Sequence, residues 1–184
     1  MDKAIDAEEK TQRIIMVTGG QRSGKSLFAE NLALQLSPRP TYLATAQVYD
    51  DEMRHRVEVH KKRREHRWRN LEAPLAIDDI SFSPDDTVLV DCLTMWATNW
   101  LFEAKEDLQE AFDALKLQID LLIAAGATLI MVTNEIGLGG TSPNALQRKF
   151  TDLQGMINQY VASLSDEVYM LVSGIPVKIK TTSC

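Results

Sequence analysis

RIIMVTGGQRSGKS, at residues 13–26, is the stretch of sequence that decides the fold. Its apolar, largely β-branched beginning predicts a buried strand over residues 13–18, which runs into two glycines. The residues that follow satisfy the pattern G-x-x-x-x-G-K-[ST], and apolar residues at helical spacing then continue over residues 26–36. A strand, a glycine-rich loop and a helix in this order predict a phosphate-binding loop, or P-loop.

The residue types in the loop match the chemistry of a bound triphosphate. Glycines allow successive backbone N–H groups to point at phosphate oxygens, and the helix N-terminus adds partial positive charge. Lys25 is predicted to reach the β and γ phosphates and Ser26 to place its hydroxyl on Mg²⁺. The alternative, a glycine-rich turn that binds nothing, is disfavoured by the complete motif in this context. The predicted phosphate-binding residues are Gly19, Gly20, Gln21, Arg22, Ser23, Gly24, Lys25 and Ser26.

Strand and helix patterns alternate along the remainder of the chain. They predict further strands over residues 41–45, 87–91, 127–133 and 167–173, and helices over residues 50–64, over 108–122 and from Pro143 onward. This alternation predicts an α/β fold with a mostly parallel sheet flanked by helices. We expect one catalytic domain over residues 13–184, preceded by a polar extension at residues 1–12.

Composition and charge exclude several classes of protein. Of the 184 residues, 45% are hydrophobic and 25% are charged, which is typical of globular rather than disordered or fibrous chains. The net charge of −6 argues against a general nucleic-acid-binding protein. The first twelve residues lack the apolar core of a signal peptide, and the longest apolar stretch, at residues 121–132, is too short to span a bilayer. With only two cysteines, we therefore expect a soluble, cytoplasmic protein with no membrane insertion and no nucleic-acid partner.

Asp91 ends the predicted strand at residues 87–91, where P-loop proteins keep a carboxylate for the Mg²⁺ shell. The alternative is an ordinary strand-terminal aspartate that caps Leu93 and the following helix. We favour the metal role, which makes Ser26 and Asp91 the predicted Mg²⁺ ligands. The adjoining Cys92 is interpreted as a small buried side chain rather than a reactive thiol.

A strongly basic stretch occupies residues 54–69. It holds eight lysines and arginines and all three histidines against two glutamates, so it carries +6 while the rest of the chain carries −12. Three interpretations are open: a solvated helix face, a nucleic-acid patch, or a clamp for a triphosphate. Because the P-loop already predicts a bound triphosphate, we favour the interpretation of the basic stretch as a triphosphate clamp. His60 directly precedes four cations, which favour a neutral imidazole able to attack an α-phosphate, although spacing alone leaves an ordinary surface histidine open.

Five stretches together resemble one family, the bifunctional adenosylcobinamide kinase / adenosylcobinamide-phosphate guanylyltransferase of cobalamin synthesis. They are VTGGQRSGKS at residues 17–26, YLATAQVYDDEMRHRVEVHKKRR at 42–64, VDCLTMWATN at 90–99, VTNEIGLG at 132–139 and VSGIPVKIK at 172–180. The P-loop stretch alone is generic, but the second and fourth stretches together are far more specific. The resemblance extends from about Ile14 to Lys180, nearly the whole chain.

The resemblance implies a RecA-like P-loop fold with two activities at one site. ATP or GTP phosphorylates the aminopropanol hydroxyl of adenosylcobinamide, and GMP from GTP then passes to that phosphate with release of pyrophosphate. The family guanylylates a histidine whose matching position is His60, whereas we treat His55 and His66 as non-catalytic. The resemblance also implies a homo-oligomer, commonly a homotrimer. The implied GTP contacts are residues 19–26, Thr45, Ala46, Gln47, Lys61, Lys62, Arg63, Arg64, Glu72 and Asp91.

The chain departs from the family pattern at two places. Residues 140–144 read GTSPN, where relatives typically carry an apolar pair followed by Pro-Glu-Asn, and Thr151 stands where an arginine is common. The second departure puts in doubt any part that this arginine plays in subunit contact or phosphate binding. Two other functions stay open: an enzyme that keeps one of the two activities, such as a P-loop kinase, and a non-enzymatic nucleotide switch whose basic helix docks an acidic partner.

Overall fold

The computed structural model describes residues 11–47 and 67–181, and its strands form one sheet. The strands are β1 (Ile14–Gly19), β2 (Thr41–Ala44), β3 (Arg69–Glu72), β4 (Thr87–Asp91), β5 (Thr128–Val132), β6 (Glu167–Val172) and β7 (Ile175–Thr181). Their order across the seven-stranded sheet is β3-β2-β4-β5-β1-β6-β7. All neighbours pair in parallel except β6 and β7, which are antiparallel. The predicted α/β fold with a mostly parallel sheet is confirmed.

Four helices lie between the strands of the described residues. They are α1 (Lys25–Leu36), α2 (Leu93–Glu103), α3 (Leu108–Ala124) and α4 (Ala145–Leu164), and a short 3₁₀ helix spans Gly137–Gly139. The Asp107 carboxylate accepts a hydrogen bond from the Glu110 backbone and so caps α3, and the Asn144 side chain caps α4 in the same way through Gln147. No helix in the described ranges is long and apolar enough to cross a bilayer.

The central strands are apolar along their whole length because helices cover both faces of the sheet. Successive residues of β1 serve different faces: Ile14 and Met16 belong to the core shared with α2, α3 and α4, whereas Ile15 and Val17 belong to the core shared with α1. Every residue of β1 and β5 is buried. Tight packing on both faces therefore fixes the positions of the carboxyl ends of these two strands.

The predicted strands agree with the observed ones to within one residue at each end, but three elements were not predicted. β3 has the sequence RNLE and is mostly exposed, so it lacks the apolar run that would predict a strand. The α2 sequence is apolar nearly all round, which hides its helical period. β7 becomes a strand by pairing with β6. The predicted helix at residues 50–64 lies outside the described residues.

Candidate functional site

The parallel strands bring the predicted site residues to one edge of the sheet. Glu72, Ala44, Asp91 and Val132 are register partners across β3, β2, β4 and β5. Strand β1 ends at Gly19 on the same edge, and the P-loop continues from there. At about 4.8 Å between neighbouring strands, Glu72 lies roughly 10 Å from Asp91 and roughly 19 Å from β1. In open α/β sheets this is the edge at which ligands bind.

The P-loop backbone takes a shape that two of its glycines permit. Gly19 has φ 147°, and a Cβ there would lie 2.6 Å from the Leu171 carbonyl oxygen. Gly24 has φ 94° at the N-cap of α1, and a Cβ there would approach the Cα of Gly174 to 3.3 Å. Because larger residues clash or are strained at both positions, the glycines of the motif are required by the loop itself as well as by a ligand.

Lys25 is almost fully buried beneath the loop, with 7% of its surface exposed. Its Nζ donates to the Gly20 carbonyl at 2.5 Å and lies 3.4 Å from the Ser23 Oγ. Burial lowers the pKa of Lys25, while the negative charge of the neighbouring Asp91 acts in the opposite direction. A buried ammonium with few partners is stabilised by an anion, and triphosphate oxygens are suitable partners.

An open cleft of about 410 Å³ lies above the loop and joins it to the end of β4. It brings together Lys25, Ser26 and Asp91, which are far apart in sequence. The remaining lining residues are Gln21, Arg22, Ser23, Gly24, Leu27, Cys92, Val132 and Asn134. The structure thus places the predicted Mg²⁺ ligands and the predicted phosphate lysine in the same cleft.

The Asp91 carboxylate is held by a buried tyrosine. Tyr42 Oη donates to Asp91 Oδ2 at 2.7 Å, and the Tyr42 ring packs edge-on against Trp68 with centroids 6.1 Å apart. Helix α2 begins at Leu93 with Cys92 as its N-cap residue, so Asp91 is not the capping residue that the alternative interpretation required.

A serine hydroxyl and a carboxylate are oxygen donors of the kind that Mg²⁺ prefers. No group of three or more His, Cys, Asp or Glu side chains able to hold a metal occurs within the described residues. Mg²⁺ bound with a nucleotide usually takes one or two protein ligands, with phosphate oxygens and waters filling the other positions. Ser26 and Asp91 therefore fit a metal that arrives with the triphosphate.

Cys92 lies between Asp91 and α2 and is half-buried. Burial, followed by the charge of Asp91, raises the pKa of the thiol to about 12. A thiol with this pKa stays protonated at neutral pH.

The three residues after β2 differ in what they offer a ligand. Thr45 is fully buried, and its Oγ1 donates to the Cys92 carbonyl at 2.7 Å while its own carbonyl accepts from Asn99 Nδ2 at 2.8 Å. Thr45 thus ties the end of β2 to the start of α2. Ala46 and Gln47 are half-buried, and Gln47 borders a second groove beside α2. Glu72 is exposed at the end of β3.

The predicted nucleophile and its basic neighbours lie outside the described residues. These are His60, Lys61, Lys62, Arg63 and Arg64, together with His55 and His66. Trp68, which follows them in the sequence, is buried against Tyr42, the residue that holds Asp91.

Sequence reasoning did not single out two supports of the P-loop. The turn between β6 and β7 reaches the loop, where the Gly174 N–H donates to the Ser23 carbonyl at 2.9 Å. After β5, the Glu135 N–H donates to the Gly19 carbonyl at 3.0 Å, and Asn134 lines the cleft. Both segments lie in stretches that resemble the family, and this resemblance is the sequence feature from which their role at the P-loop could have been predicted.

A buried polar network fixes the segment after β5. Asn158 Nδ2 donates to the Asn134 carbonyl at 3.0 Å, and Thr133 Oγ1 donates to Asn158 Oδ1 at 2.7 Å. Gln154 Nε2 lies within hydrogen-bond distance of both groups. Because three side chains share these bonds, α4 holds Asn134 in place at the cleft.

Comparison with known proteins identifies similar sequences over nearly the whole chain. The family model described as cobinamide kinase / cobinamide phosphate guanyltransferase matches residues 15–179. The chain is 42% identical over 181 residues to the bifunctional adenosylcobalamin biosynthesis protein CobU of Salmonella typhimurium, covering 91% of this chain and 99% of that protein. It is 40% identical to the Escherichia coli protein of the same name, with the same coverage. It is 37% identical over 168 residues to the bifunctional adenosylcobalamin biosynthesis protein CobP of Pseudomonas aeruginosa, covering 90% and 96%.

Proposed function

Because this chain belongs to the cobinamide kinase / cobinamide phosphate guanyltransferase family, we propose that it carries out both reactions in that name on adenosylcobinamide. The first adds a phosphate from ATP or GTP, and the second adds GMP from GTP to give adenosylcobinamide-GDP and pyrophosphate. The observation that carries the proposal is the match over residues 15–179, which contains an intact P-loop cleft with Lys25, Ser26 and Asp91 together.

In the kinase step, the aminopropanol hydroxyl oxygen attacks the γ-phosphorus. The bond from that phosphorus to the bridging oxygen breaks, ADP or GDP leaves, and the hydroxyl proton passes to solvent. Backbone N–H groups of residues 19–26 and the ammonium of Lys25 stabilise the negative charge on the phosphates. Ser26 and Asp91 would hold Mg²⁺, which would supply further charge neutralisation.

The guanylyl transfer proceeds through His60. An imidazole nitrogen attacks the α-phosphorus of GTP, the bond to pyrophosphate breaks and a phosphoramidate forms. A phosphate oxygen of adenosylcobinamide phosphate then attacks the same phosphorus, the P–N bond breaks and His60 is restored. The cations at residues 61–64 stabilise the charge on the departing pyrophosphate.

The guanine base of GTP is recognised at the carboxyl ends of β2 and β3, on the same edge of the sheet as the P-loop. Ala46, Gln47 and Glu72 follow or end β2 and β3, whose carboxyl ends lie beside that of β4. A nucleotide extended along this edge, with its phosphates on the P-loop, brings its base toward these residues. The Glu72 carboxylate is suited to accept hydrogen bonds from a guanine edge. Thr45 acts by holding this segment against Cys92.

We also propose that the enzyme is a homotrimer located in the cytoplasm. The edge strand β7 exposes Ile175, Val177 and Ile179, with 66%, 47% and 59% of their surfaces accessible. An exposed apolar edge strand favours association with another chain. Light scattering after size exclusion should give three times the monomer mass of 20.7 kDa.

The proposed two-step function is tested by covalent labelling. The protein is incubated with Mg²⁺ and GTP labelled at the α-phosphate, denatured and counted, with His60→Ala and His55→Ala variants in parallel. We expect an acid-labile, alkali-stable label on the wild type and on His55→Ala, and none on His60→Ala. Adding adenosylcobinamide phosphate should move the label to adenosylcobinamide-GDP.

Two results would contradict this mechanism. Label on His60→Ala would assign the nucleophile to another residue. An absence of label on folded, GTP-binding wild type would exclude the covalent step, and a γ-phosphate transfer assay would then distinguish a single-activity kinase from a nucleotide switch.

A further inference from the structure

Two grooves meet on the exposed face of α2, next to the phosphate cleft. One, of about 370 Å³, lies between α2 and α4 and includes Leu146, Gln147 and Phe150. The other, of about 580 Å³, lies between α2 and the segment after β2 and includes Gln47 and Met95. Thr98 and Phe102 line both grooves. Together the two form one surface, which we call the α2 groove.

The α2 groove leads directly away from the phosphate cleft. Met95, Thr98 and Phe102 follow one another at helical spacing on one face of α2. The helix begins beside Cys92, which lines the phosphate cleft. At 1.5 Å per residue, Phe102 lies about 14 Å along the axis from the first residue of the helix. A molecule seated on this stripe therefore reaches the cleft with one end.

The chemistry of the α2 groove differs from that of the phosphate cleft. Its walls combine aromatic and aliphatic side chains with hydroxyl and amide groups, and Glu103 is the one ionisable side chain among its lining residues. None of these lining residues, all from the part of the chain that the structure describes, carries a positive charge that would select a second nucleotide or another anion. Phe102 is 54% exposed, so a large apolar surface stands open beside the site of phosphoryl transfer.

We propose that the α2 groove binds the corrin ring of adenosylcobinamide and directs its aminopropanol arm toward Lys25 and Asp91. This inference rests on the function proposed above, which requires such an acceptor at the phosphate cleft. A corrin ring has broad apolar faces and a rim of uncharged amides. The apolar stripe suits the faces, and Thr98 and Gln147 offer hydrogen bonds to the amides.

The test compares Phe102→Ala and Gln147→Ala with a matched control, Leu117→Ala. Leu117 is a 56% exposed apolar residue on α3 that lines neither groove. Binding of adenosylcobinamide is measured by equilibrium dialysis with detection of the corrinoid absorbance. We expect Phe102→Ala to weaken binding and raise the KM for the corrinoid about tenfold or more, since an aromatic contact is lost. Gln147→Ala should weaken adenosylcobinamide binding severalfold, and Leu117→Ala should leave it unchanged.

Labelling of His60 by GTP requires no corrinoid and should be unchanged in all three variants, which shows that the nucleotide site is intact. Unchanged corrinoid affinity in Phe102→Ala, with normal binding by the wild type, would overturn the assignment and leave the proposed function standing. A drop in oligomeric mass caused by Phe102→Ala would overturn it as well, because the groove would then hold a second copy of the chain. A wild type that takes the GTP label but binds no corrinoid would reject the proposed acceptor itself.

Discussion

The phosphate cleft and the α2 groove share the carboxyl edge of one sheet but are built in different ways. Seven consecutive residues, 21–27, form most of the cleft, and Asp91, Cys92, Val132 and Asn134 complete it. The groove is assembled from side chains of α2, α4 and the loops after β2 and β3, which are widely separated in sequence. The comparison teaches that a phosphate site can be encoded locally, because backbone groups make it, whereas an apolar site depends on how helices pack.

The two surfaces also divide the charges between them. The cleft holds the buried ammonium of Lys25 and the carboxylate of Asp91, whereas Glu103 is the one ionisable group in the groove lining. In the proposed functions, this division separates recognition of the anionic nucleotide from recognition of the corrinoid acceptor. Substitutions on the two surfaces should therefore have separable effects.

Lys25→Met should cause the largest loss of activity, and the loss should affect the nucleotide reactions without changing corrinoid binding. The variant removes the cation nearest the P-loop carbonyl of Gly20, and we expect kcat/KM of both phosphoryl and guanylyl transfer to fall about 100- to 1,000-fold. Adenosylcobinamide affinity should be unchanged. Rates with labelled ATP and GTP, together with corrinoid dialysis, check this.

Lys149→Met is the matched control for this substitution. Lys149 lies on α4, half-exposed and paired with Glu106, away from the cleft lining. Its activity should stay within twofold of wild type. A loss of less than tenfold in Lys25→Met would show that the lysine does not stabilise the transferred phosphate.

Tyr42→Phe should have an intermediate effect and sharpen the metal side of the comparison. The ring keeps its packing on Trp68 but loses the hydrogen bond to Asp91, and a bond to a charged group contributes about 1.5–3 kcal/mol. We expect the Mg²⁺ concentration that half-saturates GTP binding to rise about tenfold. GTP affinity without Mg²⁺ should not change.

Tyr160→Phe provides the control, since Tyr160 donates to Asp120 at a similar tyrosine–aspartate contact between α3 and α4. The Mg²⁺ requirement of Tyr160→Phe should equal that of wild type. An equal requirement in Tyr42→Phe would mean that Asp91 needs no support from the tyrosine, and the proposed positioning would be wrong.

Glu167→Gln should leave both surfaces intact and change only stability. Glu167 begins β6 at the opposite edge of the sheet, where burial raises its pKa but hydrogen bonds from Lys178, Arg13 and Tyr169 lower it further, to about 2. The folded-state pKa lies below the ordinary glutamate value of 4.5, so the ionised carboxylate stabilises the fold above that pH and the contribution is lost as pH falls toward 2.

We expect the free energy of unfolding of the wild type to fall about 1–2 kcal/mol more than that of Glu167→Gln between pH 5 and pH 3, after allowing for the exposure of its partners. Urea titrations at several pH values measure this difference. Parallel pH dependence in the two proteins would contradict it. The activity of folded Glu167→Gln at neutral pH should match wild type.

Most of the fold follows from local patterns. The predicted strands at residues 87–91 and 127–133 are apolar runs because helices cover both faces, and they recur as β4 and β5. The strand β3 escaped prediction because its four residues are mostly exposed and are held by pairing with β2. Its place in the sheet depends on a partner 28 residues earlier in register, and no local pattern contains that information.

The candidate site likewise combines features that local sequence predicts with features that depend on contacts between distant segments. By itself, the sequence determined the P-loop, Lys25 and Ser26, because consecutive backbone groups build a phosphate cradle wherever a strand, glycines and a helix follow in order. It also predicted Asp91 from its place at a strand end. The bond from Tyr42 to Asp91, the contact of Gly174 with the P-loop and the α2 groove were decided only by tertiary structure. Each joins segments that are distant in sequence, and a parallel sheet brings such segments to one edge only after its strands have found their order.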